Sequence, residues 1–165
     1  MHNTLQLSII ICSYNRASYI AAALDSLYHQ TVEKRLYEVI IEDNNSTDNT
    51  KKVCTAYISA HPELNVRYQE EKNQGSSFAR NTGAVIAQSP LLCFMDDDAI
   101  ANPDFIEKIL SLFKKNVAAD AAGGRIIPKY IPAEPKWMSY YVSSLVGNFD
   151  YSKETEEFKP DKYPL

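Results

Sequence analysis

Three consecutive aspartates, Asp96-Asp97-Asp98, directly follow the apolar run Leu91-Leu92-Cys93-Phe94-Met95. Clustered carboxylates repel one another unless a cation or hydrogen-bond donors offset their charge. On an extended segment alternate side chains point to opposite faces, so Asp96 and Asp98 share a side and Asp97 faces away. Two carboxylates on one side suit a hard divalent ion. Mg²⁺ takes one or two carboxylates, several waters and phosphate oxygens from a ligand. The plainer alternative is a solvated acidic turn before Asn102.

A second carboxylate, Asp43, follows Glu42 at the end of the run Tyr37 to Glu42. There it can accept a charge-assisted hydrogen bond from a ring N–H such as uracil N3–H, a contact worth about 1.5–3 kcal/mol. It can equally stabilise an Asx-type turn with Asn44 and Ser46. Arg80 and Asn81 follow Gly75 on a predicted helix. Arg80 can reach a base or phosphate, or pair with Asp43 or Asp96 and hold the acids together. Ser13, Tyr14 and Arg16 end the first apolar run, where Tyr14 and Arg16 can stack on a base or contact ribose and phosphate; an exposed turn is the alternative.

The elements that must position these side chains alternate in type. Leu7 to Cys12 is a continuous β-branched run, the pattern of a strand covered on both faces. Ser18 to His29 places Ile20, Ala23, Leu24 and Leu27 at helical spacing. A second strand covers Tyr37 to Glu42, and a helix covers Asp48 to Ser59 with Asp48 as N-cap or first-turn acid. Asn65 to Glu70 is the third strand, and Ser76 is placed to cap a helix over Ser77 to Ala87. Leu91 to Met95 is the fourth strand. Asn102-Pro103-Asp104 then reads as a capped helix start, with Phe105, Ile106, Ile109, Leu110 and Phe113 on the inner side. A fifth strand is expected within Ala118 to Ile127. This alternation predicts an α/β fold with a mostly parallel sheet. In such sheets ligands collect beyond the carboxyl ends of the strands, where all three polar clusters lie.

The chain has 165 residues, room for one domain with a real core. Its formal net charge of -4 argues against a nucleic-acid partner bound through a basic surface. An acidic protein that holds a phosphorylated ligand needs a cation or a nest of donors between the charges. No G-x-x-x-x-G-K-[ST] or G-x-G-x-x-G motif is present to supply a glycine-rich cradle, which leaves the metal route. Cys12, Cys54 and Cys93 lack C-x-x-C spacing and read as reduced thiols of a cytoplasmic protein. His2, His29 and His61 are scattered. Beyond residue 127 prolines and a charged stretch from Lys153 to Lys162 degrade the pattern, so residues 1–127 are expected as the core and 128–165 as an irregular extension.

In their order, these clusters resemble family 2 glycosyltransferases with the GT-A fold. The likeness runs through Leu7 to Arg16, Val39 to Asp48, Asn73-Gln74-Gly75, Ala79-Arg80-Asn81-Thr82-Gly83, and Phe94 to Asp98 followed by Pro103-Asp104. It covers roughly residues 5 to 127. The resemblance implies that Ser13, Tyr14, Arg16, Asp43, Arg80, Asp96 and Asp97 bind a nucleotide-sugar donor, with Asp43 reading uracil or another base. It implies that Asp98, in the position of the family's D-x-D motif, ligates Mg²⁺ or Mn²⁺ bridging the diphosphate of a UDP-sugar. Inverting transfer to the hydroxyl of a glycan or lipid-linked acceptor, deprotonated by a carboxylate base, is the implied reaction. Polysaccharide assembly is the implied role, in the cytoplasm or at the inner face of the membrane.

The chain departs from the family in one respect. No E-D pair with flanking acceptor elements follows the aspartates; Glu156-Glu157 sits in a charged tail and is not assigned as the base. The expectation is therefore a donor-binding portion with its base beyond Leu165, inactive by itself, that associates with itself through apolar surface at Trp137 to Val146. A non-catalytic nucleotide-sugar-binding module is the alternative. A sugar nucleotidyltransferase fits less well, because it calls for a glycine-rich basic loop where Ser13-Tyr14-Asn15-Arg16 stands.

Overall fold

The computed structural model describes residues 5–145, 147–150, 152 and 156. By internal packing the chain forms two units, Met1–Val117 and Ala118–Leu165. The first contains β1 (Leu7–Ser13), α1 (Ile20–Tyr28), β2 (Tyr37–Asp43), α2 (Thr50–Ala60), β3 (Val66–Glu70), α3 (Ser76–Ile86), β4 (Leu92–Asp96) and α4 (Phe105–Lys115). The strands form one sheet in the order β3-β2-β1-β4. Every pairing is parallel. Each crossover carries a helix, so the alternation in the sequence translates directly into this topology.

β1 and β2 occupy the centre, and all of β2 is buried. Alternate residues serve opposite faces. On one face Leu7, Ile9, Ile11, Val39 and Ile41 join Ile20, Leu24 and Leu27 of α1, Cys54 of α2 and Ile106 of α4. On the other, α3 lies so close that a Cβ at Gly83 would stand 2.6 Å from Ile10 Cγ2 and 3.1 Å from Glu42 Cγ. Only a residue without a side chain lets helix and sheet approach this far.

That second face also carries buried acids. Glu38 accepts hydrogen bonds from Ser8 Oγ at 2.6 Å, Arg67 Nη2 at 2.6 Å and the Gln88 amide at 2.8 Å. Arg67 donates as well to the Ile86 carbonyl at 2.8 Å, which ties β3 to the end of α3. Unpairing this buried ion pair would leave a charge in the core at a cost of about 3–5 kcal/mol. β4 is different: Leu92 and Phe94 are 38% and 50% exposed, so one face of this edge strand is uncovered.

Three helix starts depart from the sequence expectation. Gly75, at φ 137, takes the N-cap position of α3 in place of Ser76, because only glycine adopts that backbone without strain. Asn49 precedes α2, while Asp48 Oδ1 accepts the Thr50 amide at 2.9 Å. Asn102 does not cap α4; Gln30, just beyond α1, accepts the Ile106 amide at 3.0 Å and donates to the Asn102 carbonyl at 2.7 Å. The cap came from a distant residue, which local spacing cannot reveal.

In the second unit the expected strand over Ala118 to Ile127 does not form. Among the described residues only an isolated antiparallel bridge, Ile126 to Phe149, is present there. From Ala118 to Gly124 alanine and glycine surround one aspartate, Asp120, and supply no β-branched or aromatic side chains to pack on a pleated surface. Arg125 pairs with Asp150 at 2.6 Å, and α5 spans Tyr140–Leu145. Trp137 and Leu145 are exposed; Val146, at the end of the apolar stretch, lies outside the described residues, as do His2, Glu157 and most of Lys153 to Lys162. No helix of the described residues is long and apolar enough to cross a membrane.

Candidate functional site

Strand register brings the three polar clusters to one end of the sheet. Ser13 of β1 stands beside Asp43 of β2. Cys12, the residue before it, stands beside Asp96 of β4. Neighbouring strands are about 4.8 Å apart, so Asp43 and Asp96 flank the tip of β1 at about 10 Å from each other across the sheet. A single cleft can therefore be lined by both.

The loops that follow β1 and β2 are stapled together. Asn15 adopts the left-handed conformation, φ 54. Its Oδ1 accepts the Thr47 amide at 2.8 Å and the Asp48 amide at 3.3 Å, and its own N–H donates to Ser46 Oγ at 2.9 Å. Thr50 Oγ1 accepts the Arg16 amide at 3.0 Å, and Asp48 Oδ2 accepts the Ala17 amide at 3.2 Å. The Thr50 hydroxyl, together with the Thr50, Ala17 and Asp48 amides, holds the Asp48 carboxyl below its ordinary range against the opposing effect of burial. Asn44 performs the same service toward α3, donating to the Asn73 carbonyl at 2.7 Å and accepting the Gly75 amide at 2.7 Å. These side-chain-to-backbone bonds fix three loops that regular structure leaves unsatisfied.

Asp43 is only 2% exposed. Oδ1 accepts the Ser46 amide at 2.8 Å, the Asx-type turn considered from the sequence. Oδ2 accepts the Tyr68 hydroxyl from β3. A cavity of about 320 Å³ opens beside this carboxylate, lined also by Asn45, Ser46, Lys51, Glu70, Glu71 and Lys72.

On the other flank, exposure alternates along the aspartates: Asp96 and Asp98 are exposed and Asp97 is buried. Burial raises the Asp97 carboxyl above its usual range, with Asp98 and Asp96 adding to the rise and Ser13 and Arg16 opposing it. Arg16 approaches Asp97 at 3.7 Å and Asp98 at 4.0 Å, and stacks 5.5 Å over the Tyr19 ring. Arg80 of α3 approaches Asp96 at 3.6 Å, the acid-holding contact considered for it. These are loose, half-exposed ion pairs of little intrinsic stability. Tyr14 is 47% exposed, while Ser13 is 2% exposed.

Sequence reasoning missed two residues here. Tyr68 gave no motif, because its partner Asp43 lies on another strand. Glu42 was noted only as the neighbour of Asp43. It is fully buried against α3, neither carboxylate oxygen has a hydrogen-bond partner among the described residues, and burial, with Glu71 adding and Arg67 opposing, pushes it up to about 7. A carboxylate directly after the apolar Val39-Ile40-Ile41 of a central strand was the available signal.

Comparison with known proteins adds a family match. The model of glycosyl transferase family 2 matches residues 8–163. Validoxylamine A glucosyltransferase of Streptomyces hygroscopicus subsp. jinggangensis is 36% identical over 64% of this chain and 25% of its own length. Glycosyltransferase AglE of Haloferax volcanii is 34% identical over 72% of this chain and 38% of its own. The chain thus spans well under half the length of these relatives. Among solved structures, the mannosyltransferase PcManGT from Pyrobaculum calidifontis, in complex with GDP-Man and Mn²⁺, aligns with a TM-score of 0.62 at 27% identity, covering 66% of this chain and 32% of that one. S. aureus TarS 1-349 aligns with a TM-score of 0.63 at 24% identity, covering 76% of this chain and 39% of that one; at that identity it speaks to the fold alone.

Proposed function

The chain belongs to glycosyl transferase family 2 and has the GT-A fold, and from that premise we propose that its strand-end cleft is a nucleotide-sugar donor site. The single observation that carries this reading is the gathering of Asp43, Arg16, Arg80 and the three aspartates around the tip of β1. Asp43 faces the cavity where a base would lie, and Arg16, Arg80 and the aspartates form the flank that would meet diphosphate and sugar. The donor is a nucleoside-diphosphate sugar, read here as a UDP-sugar, and transfer to an acceptor hydroxyl inverts configuration.

A divalent cation fits the residues present. No group of three or more metal-ligating side chains occurs among the described residues. Mg²⁺ and Mn²⁺ held chiefly by ligand phosphates and water need only one or two carboxylates. Asp98 would supply one, with Asp96 beside it; both are exposed and each meets only a loose arginine contact. When bound, the ion would offset charge on the departing nucleoside diphosphate. Arg16 and Arg80 contribute charge to the same flank, and Asp97, turned inward, backs the exposed pair. GDP-Man and Mn²⁺ in the related mannosyltransferase support this assignment. No described carboxylate is assigned as the base; Glu156 is exposed in the second unit.

Calorimetric titration of the chain with a UDP-sugar, with and without Mn²⁺, tests the reading. Binding that requires the metal is expected. Absence of binding under both conditions would reduce Asp96 to Asp98 to an acidic turn.

A further inference from the structure

The two oxygens of Asp43 are not equivalent. Oδ1 accepts the Ser46 amide at 2.8 Å, and Ser46 lines the adjoining cavity. Oδ2 accepts the Tyr68 hydroxyl, and Tyr68 is not among the residues lining that cavity. The phenol is locked as a donor: burial, then the hydrogen bond to Asp43, push its pKa upward. Since Asp43 is 2% exposed, only a small part of the carboxylate reaches the cleft.

An ionised carboxylate only accepts hydrogen bonds, and with both oxygens open it grips two parallel donors at once. With Oδ2 engaged by the phenol, away from the residues that line the cavity, the acceptor capacity that Oδ1 keeps beside the Ser46 amide is what a ligand can use. Nucleobases differ in this respect. Uracil presents one ring N–H between two carbonyls, whereas guanine presents a ring N–H with an amino group next to it.

We propose that Tyr68 is a specificity-determining residue: by occupying Asp43 Oδ2 it matches the cavity to a base with one imide N–H and against the two-donor edge of guanine. The inference rests on the reading of Asp43 as the base-contacting carboxylate and adds to it the residue that sets discrimination. Tyr68 acts through Asp43 and is a positioning residue in that sense. Selectivity arises because guanine's second donor would be left without a partner in a site where one acceptor is already taken.

The test is calorimetric titration of the chain and its Tyr68→Phe variant with UDP and with GDP, each in the presence of Mn²⁺. The unaltered chain should favour UDP. Tyr68→Phe should shift the UDP-to-GDP affinity ratio toward GDP by about tenfold, the scale of one hydrogen bond to a charged group. A destabilised fold would weaken both nucleotides alike, so an unchanged ratio in the variant overturns the proposal, as does a preference for GDP in the unaltered chain. Tyr68→Met, which also lacks the hydroxyl, provides the same readout if Tyr68→Phe does not fold. If the unaltered chain binds neither nucleotide, the donor-site reading itself fails and this inference falls with it.

Discussion

The two flanks of the cleft are built in opposite ways. On the Asp43 side the carboxylate is buried and both oxygens are engaged, while Asn15, Asn44 and Asp48 pin the surrounding loops. On the Asp96 side the exposed carboxylates meet arginines at 3.6 and 4.0 Å, beside an edge strand with Leu92 and Phe94 uncovered. The first flank has its charges and donors balanced internally; the second concentrates charge that awaits a partner. An end whose carboxylate is already hydrogen-bonded suits recognition by shape and single hydrogen bonds, and an open charged end suits an ion and phosphates. Stability and binding should therefore separate across the tip of β1.

Among substitutions at the two flanks, the largest effect on the fold is expected from Asp43→Ala. It leaves the Ser46 amide and the Tyr68 hydroxyl without their acceptor, and urea denaturation should show a loss of about 3 kcal/mol. A loss near zero would mean that the β2 flank is no more organised than the β4 flank.

Glu42→Gln comes next and sharpens the contrast, because Glu42 is the exception on the ordered flank, buried with both oxygens unpartnered among the described residues. Its proton is held up to about 7, against 4.5 in an unfolded chain. Between those values the folded state binds more protons than the unfolded state, so stability falls as pH rises through the window and levels off above it. Glutamine keeps the shape without the ionisation. The variant should match the parent below pH 4.5 and exceed it by roughly 2–3 kcal/mol above pH 7. Parallel pH profiles would count against a buried, proton-bearing Glu42.

The smallest effect on stability belongs to Asp98→Ala. An exposed carboxylate in a repulsive cluster should change unfolding free energy by less than about 0.5 kcal/mol. Metal-dependent UDP-sugar binding should nonetheless drop about tenfold or more in calorimetry, given the worth of a contact to a charged group. Loss of stability together with binding would erase the separation between the flanks.

Much of this was readable in the chain. Leu7 to Cys12 and Tyr37 to Glu42 are strong enough in β-branched content to mark central strands, and Ile20, Ala23, Leu24 and Leu27 mark the buried side of α1. Fold class followed, and so did the gathering of polar clusters at strand ends. The helix starts were less legible: Gln30 caps α4 across the fold, and Gly75 works through its backbone instead of its side chain. A strand interrupted by Gly123-Gly124 was expected within Ala118 to Ile127, yet among the described residues the stretch forms one isolated bridge.

From the order of residues alone come the element types, the parallel sheet and the acid clusters at its carboxyl end, since hydrophobic periodicity and turn chemistry are local properties of the chain. Packing alone decided which carboxylate is buried, which is bridged by arginine and which partner each oxygen holds. Tyr68 meets Asp43 and Arg67 meets Glu38 only because β3 settles against β2 in one register. A slip of one residue would turn those side chains to the opposite face, and nothing in the spacing of either strand by itself specifies that match.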